Sequence, residues 1–261
     1  MEKEVVRITD GVPGTFKDTV AEEAFLTLYL NDKELLTLMC SPDNLKELSA
    51  GFLYSSGLIH SADDIEHISV NVSKMTSRIT TRKKDLSDDA IFKRIYTSGC
   101  GKNMLFYNTL DVAGGKIVTN KIQIQSSQIT ELVKAFEAKS ATYKETGGVH
   151  SAAFCSESEI IAFHEDIGRH NAIDKVVGEA LFSNMNMENL MVLTSGRISS
   201  EVMYKIQKMG CAVIVSRSAP TSLAVKLAEK WNITLVGFVR GRRMNVYTAV
   251  ERIGVAPRAK V

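Results

Sequence analysis

The apolar positions along this chain change rhythm about half-way. In the first half, short apolar runs alternate with polar turns. Phe25 to Leu30 and Leu35 to Met39, joined by Asn31-Asp32-Lys33-Glu34, predict a β-hairpin. Leu45 to Leu53 carries apolar residues at helical spacing, with Ser41 or Asp43 as the expected cap and Gly57 as its end. Ile65 to Val72 and Ser77 to Thr81 predict another strand pair, followed by a polar stretch from Arg82 to Asp89. Residues 1–120 therefore read as a smaller α+β domain with antiparallel strands.

Residues 121–261 read as an α/β domain. Ile122 to Ser127 connects the halves, and Ile129, Leu132, Val133 and Phe136 mark a helix running to about Ala138. Gly147-Gly148 is a stop, after which His150 to Cys155 and Glu159 to Phe163 predict paired strands. Ala172, Ile173, Val176, Val177, Ala180 and Leu181 form one apolar helical stripe. Leu190 to Leu193, Ala212 to Val215 and Ile233 to Val236 are near-continuous apolar runs separated by amphipathic helices, with Met244 to Tyr247 as a short last strand. Such runs imply a largely parallel sheet covered on both faces.

Composition narrows the function classes. With 44% hydrophobic and 24% charged residues the chain has ample material for a core. A net charge of +2 is too small to argue for nucleic acid, and only Arg82-Lys83-Lys84 and Arg240-Gly241-Arg242-Arg243 are locally basic. Cys40, Cys100, Cys155 and Cys211 are widely spaced, with no C-x-x-C pair, which fits neither a disulfide framework nor a structural zinc site. Met1 to Asp10 lacks an apolar signal core, and no apolar run is long enough to span a membrane. A cytoplasmic protein without a membrane or nucleic-acid partner is expected.

The chemistry concentrates in two places. In Thr97-Ser98-Gly99-Cys100-Gly101-Lys102 one thiol stands between two glycines, with Lys102 positioned to favour the thiolate. A reactive sulfur and a small buried hydrophobe on an ordinary turn are both open readings of Cys100. The second place is the rim formed by the carboxyl ends of the strands, where ligands of open α/β sheets bind. Four polar loops fall there: His164 to Asn171, including Asp166, Arg169 and His170; Thr194-Ser195-Gly196-Arg197; Ser216-Arg217-Ser218-Ala219-Pro220; and Gly237-Phe238-Val239-Arg240-Gly241-Arg242-Arg243. Hydroxyls, glycines and forked guanidinium donors suit phosphates, and Phe238 and Tyr247 beside the arginines suit a purine base. His170 and Asp174, one helical turn apart, read either as an acid–base pair or as a surface contact. His150, His164, His170 and Cys155 match no standard zinc spacing, so no metal site is expected.

Taken together, Pro42-Asp43 with Gly51-Phe52-Leu53, Thr97 to Gly101, Gly147 to Ala153, Glu165 to Lys175, Thr194 to Arg197, Ser218 to Ser222 and Gly237 to Asn245 resemble the FdhD/NarQ family of formate dehydrogenase accessory sulfur carriers. The resemblance implies a cytidine deaminase-like mixed sheet with helices on both faces. The deaminase zinc signature, H-x-E with a later P-C-x-x-C, is absent, so zinc-dependent deamination is not expected. The implied activity is that of a sulfurtransferase. A cysteine desulfurase loads a persulfide on the residue matched by Cys100. The sulfur then passes to the molybdenum or tungsten ion of bis(molybdopterin guanine dinucleotide), a bound substrate, before that cofactor enters formate dehydrogenase. The cofactor-binding segment matches Phe238, Val239, Arg240, Gly241, Arg242 and Arg243, with Lys102, His150, Asp166, Arg169, His170, Arg197 and Arg217 as supporting residues. Many relatives carry C-x-x-C on the loop, whereas this chain has Asn103 at the second position and lacks a vicinal thiol to displace the sulfur. A non-catalytic cofactor chaperone and a nucleotide-converting enzyme using His170 and Asp174 are the alternatives. Sheet folds of this type often pair, which leaves a homodimer open.

Overall fold

The computed structural model describes residues 1–83, 92–96, 104–108 and 115–255. The chain opens with a hairpin of β1 (Glu2–Thr9) and β2 (Val12–Thr19), which the apolar pattern did not announce. Its turn, Asp10-Gly11, has φ of 50° and 83°, the pair of positive values a two-residue hairpin turn requires. The expected hairpin of β3 (Ala24–Leu30) and β4 (Lys33–Cys40) turns the same way through Asn31 and Asp32, at φ 49° and 65°. Then come α1 (Leu45–Ser55), β5 (Ile65–Asn71) and β6 (Thr76–Thr81). They complete a four-stranded sheet of order β4-β3-β6-β5. This sheet is mixed rather than antiparallel, because the chain passes through α1 before β6 returns alongside β3 in parallel. β7 (Phe92–Tyr96) and β8 (Met104–Asn108) form a separate antiparallel pair.

The second half runs β9 (Ile124–Gln125), α2 (Ser126–Lys139), α3 (Ala141–Thr146), β10 (His150–Cys155), β11 (Ile160–Asp166), α4 (Arg169–Phe182) and β12 (Met191–Thr194). It continues with α5 (Ser200–Met209), β13 (Val213–Ser216), α6 (Ser222–Trp231), β14 (Thr234–Arg240), β15 (Arg243–Val246) and β16 (Ile253–Gly254), which pairs with β9. The large sheet has six strands in the order β11-β10-β12-β13-β14-β15. β12, β13 and β14 are parallel, while β10, β11 and β15 join antiparallel.

Side-chain alternation along β11 separates the two faces. Phe163 meets Phe136 of α2 edge-on at 5.5 Å between ring centres, while His164 reaches Glu179 of α4 at 2.9 Å. α2 thus covers one face and α4 the other. The parallel crossovers through α5 and α6 advance in one direction, so right-handedness places both helices on a single face. Contacts of α4 with α5 identify it as the α4 face. Val213, Ile214, Val215, Leu235 and Val236 are fully buried in the centre, each such side chain being worth about 1.5–3 kcal/mol.

α1 ties the small sheet to the large one through glycine. A Cβ on Gly51 would lie 1.8 Å from the Asp174 carbonyl oxygen, and one on Gly178 would lie 1.9 Å from that of Glu47. The α1 and α4 backbones touch there directly, an approach closed to any larger residue. No helix among the described residues is long and apolar enough to cross a membrane.

Candidate functional site

Charge near the carboxyl ends of the strands is of two kinds. The first lies inside. β11 runs on to Asp166, so His164, Glu165 and Asp166 are strand residues rather than loop. Asp166 is fully buried and meets Lys175, also fully buried, at 2.9 Å. Lys175 also donates to Asp43 at 2.6 Å. The Asp166 carboxylate accepts the N–H groups of Ser41 and Gly168 and a side-chain N–H of Asn171, and the Ser41 hydroxyl accepts the Ile167 N–H. Burial raises the Asp166 pKa, while Lys175, the Gly168 N–H and Asn171 pull the other way. Ser41 and Asp43, the expected caps of α1, are thus spent on this latch. The α1 N-cap is Asn44, at φ 49° and without a side-chain capping bond. Fully buried and bonded to these partners, Asp166 acts as a structural anchor.

A second internal set joins α4 to α5. His170 meets Glu201 at 2.9 Å, and Asp174 binds Lys205 at 2.5 Å. His170 and Asp174 therefore take separate partners and are not an acid–base pair. Burial lowers the His170 pKa, with Glu201 acting against it and Lys205 and Arg169 with it. His164 is likewise committed to Glu179. No cluster of three or more His, Cys, Asp or Glu able to hold a metal occurs among the described residues.

The open kind of charge forms the rim. A cleft of about 430 Å³ lies between α2, α3 and the ends of β10, β12, β13 and β14, within the ~300–1,000 Å³ typical of small-molecule sites. Its walls include His150, Ser195, Arg217, Ser218 and Arg240. Ser195 Oγ accepts the Ser151 N–H at 2.9 Å and lies 3.2 Å from His150 Nδ1, which fixes the imidazole at the edge. Burial, followed by Arg169, His170 and Arg197, lowers the His150 pKa and favours the neutral ring. Arg169 lies close over the neighbouring loop: a Cβ on Gly196 would sit 2.7 Å from the Arg169 Cβ.

The arginine-rich segment divides. The ladder between β14 and β15 shifts register between Gly237 and Arg240, and Phe238 sits in the bulge at φ 53°, strained for a bulky side chain. Its N–H donates to the Ser218 carbonyl, joining two rim loops. Val239 is fully buried and supports the core. Arg240 enters the cleft wall, and Gly241, at φ 57°, turns the hairpin with Arg242 and Arg243 exposed. Arg197 is exposed beyond Gly196. Glu137, Tyr143 and Lys144 of α2 and α3 also line the cleft. Helical spacing marks only the apolar face of α2 and does not announce α3, so no local signal points to those residues.

Cys100 and Lys102 lie outside the described residues. The other three thiols are all buried. Burial is the main cause in each: Cys40 and Cys155 are pushed up to about 12, and Cys211 is raised further, with its hydrogen bonded to the Met187 carbonyl.

Residues 21–254 match the FdhD/NarQ family. The sulfur carrier protein FdhD of Listeria monocytogenes serotype 4b (strain F2365) is 43% identical over 246 residues, covering 92% of this chain and 94% of that protein. The sulfur carrier protein FdhD of Bacillus subtilis (strain 168) is 38% identical over 252 residues, covering 96% of each. A crystal structure assigned to a formate dehydrogenase accessory protein of Desulfotalea psychrophila superposes with a TM-score of 0.81 at 27% identity, covering 97% of this chain and 98% of that one. The chain belongs to the FdhD/NarQ family.

Proposed function

We propose that this protein is a sulfur carrier for formate dehydrogenase maturation, a persulfide sulfurtransferase rather than a zinc deaminase. The Cys100 thiolate attacks the outer sulfur of a cysteine desulfurase persulfide, the desulfurase thiolate leaves, and one sulfane sulfur remains on Cys100. Bis(molybdopterin guanine dinucleotide), with its molybdenum or tungsten ion, is the substrate that receives the sulfur before entering formate dehydrogenase. The Cys100 S–S bond breaks, the Cys100 thiolate is released, and a thiol reductant or the reduced metal ion supplies the two electrons that take the sulfane sulfur to sulfide. Arg240, Arg242, Arg243 and Arg197 hold the substrate's phosphates at the rim, and His150, neutral and facing the cleft, takes or gives the proton at transfer. Arg217 has its charge met by Glu137 at 2.8 Å and contributes less to phosphate.

The observation that carries this reading is the state of the other thiols. A sulfur carrier needs an ionisable, reachable sulfur. Cys40, Cys155 and Cys211 are buried and held protonated, which leaves the role to Cys100 between its two glycines. The order β11-β10-β12-β13-β14, with β10 reversed against its inner neighbour, supports reading the large sheet as cytidine deaminase-like. We place the boundary between the thiol-bearing domain and the cofactor-binding domain near residue 120. Incubation with a desulfurase and sulfur-labelled cysteine, followed by peptide mass spectrometry, tests the assignment. The label is expected on the Cys100 peptide, and label on Cys155 or Cys211 instead removes the proposal.

A further inference from the structure

Glu137 is the one carboxylate among the described residues lining the cleft. In a site that holds phosphates through Arg240, a carboxylate repels the ligand's charge unless it faces a different part of it. Glu137 projects from α2 and Arg217 follows the end of β13, with Nε and Oε1 2.8 Å apart and side chains 41% and 39% exposed. Among the described residues no other partner meets the Arg217 Nη donors or Glu137 Oε2, which can therefore meet a ligand. A guanidinium donor therefore stands beside carboxylate acceptors, open to the cleft.

That order is the complement of one nucleobase edge. Guanine presents the acceptor O6 beside the donors N1–H and N2–H; arginine commonly donates to O6, and a carboxylate accepts from two neighbouring N–H groups. Cytosine and adenine reverse the order, setting a donor against Arg217 and an acceptor against Glu137. Tyr143, 47% exposed beside the same cleft, offers a ring face on which a base can stack.

We infer that Glu137, held in place by Arg217, reads the base of the nucleotide and selects guanine. The inference rests on the rim being a nucleotide site. The test is calorimetric titration of the whole protein with GDP, CDP and ADP, for wild type, Glu137→Ala and Glu137→Gln, with melting curves to show that each variant is folded. Wild type is expected to prefer GDP by roughly 10- to 100-fold, the discrimination of one good bidentate base contact. Glu137→Ala is expected to lose that preference, because GDP loses its acceptors while CDP and ADP no longer meet an opposing acceptor. Glu137→Gln is expected to narrow it, because its amide keeps one acceptor and sets a donor against the second guanine N–H. A preference for GDP kept in Glu137→Ala would overturn the role of Glu137 and leave the rim as a nucleotide site. Equal binding of all three nucleotides by wild type would overturn base selection in the same way. Wild type that binds none of them would overturn the rim reading and this inference together.

Discussion

Lys175 and Arg240 are cations of the same half of the molecule, and they live under opposite conditions. Lys175 is fully buried between Asp166 and Asp43, in a latch that also joins Ser41 and Asn171. Arg240 is exposed on the wall of the cleft. The inner charges hold α4 and β11 against the turn before α1, while Arg240, with no ion-pair partner among the described residues, is left to meet an anion. A charged residue near the strand ends thus signals a ligand site where its polar groups stay open to the cleft, and not where they are buried against partners.

Removing one partner of the latch separates the two regions most sharply. Lys175→Met leaves Asp166 buried and uncompensated and is expected to cost about 3–5 kcal/mol in denaturant unfolding. A loss under about 1 kcal/mol would mean that the latch is not structural. Arg240→Ala is expected to do the reverse. GDP affinity falls roughly 10- to 100-fold, as for a lost hydrogen bond to a charged group. Stability stays within about 0.5 kcal/mol of wild type, as at an exposed position. Equal damage to folding and binding in that variant would erase the distinction.

Gly178→Ala tests the backbone contact under the latch. The added methyl meets Glu47 and forces α1 and α4 apart, with an expected loss of about 1–3 kcal/mol in thermal unfolding. The smallest effect is on pH. Burial holds His150 and His170 below the ordinary histidine value of 6.5, so the unfolded chain binds more protons than the folded one just below that value. Stability is then expected to fall as pH drops below about 6.5 and to be flat with respect to these groups above it. His170 is faced by Glu201, Lys205 and Arg169, and His150 by Arg169, His170 and Arg197. His170→Gln should shallow the acid slope in pH-dependent melts, and an unchanged slope would locate the titration elsewhere.

How much of this was legible in the sequence follows from the same contrast. The strands β12, β13 and β14 could be read because they are buried on both faces and therefore continuously apolar. The β1–β2 hairpin could not be read from burial, since Val6, Ile8 and Val12 are 67%, 69% and 68% exposed, although Asp10-Gly11 is a hairpin turn signal. The placing of Arg240 at the rim followed from the carboxyl-end rule. The true partners of Asp166, His170 and Asp174 did not, because they come from other elements. Lys175 meets Asp43 across 132 positions of sequence, and Lys205 reaches Asp174 across 31. Helical spacing shows which residues share a face and is silent on what packs against it. Glu137 was hidden for the same reason.

The most direct test of sulfur transfer through Cys100 is formate dehydrogenase activity in cells that lack their own copy of this protein and receive the Cys100→Ala variant. Activity is expected to be lost although the purified variant still binds GDP as wild type does. Full activity with Cys100→Ala would contradict the account and leave a cofactor-binding chaperone in its place.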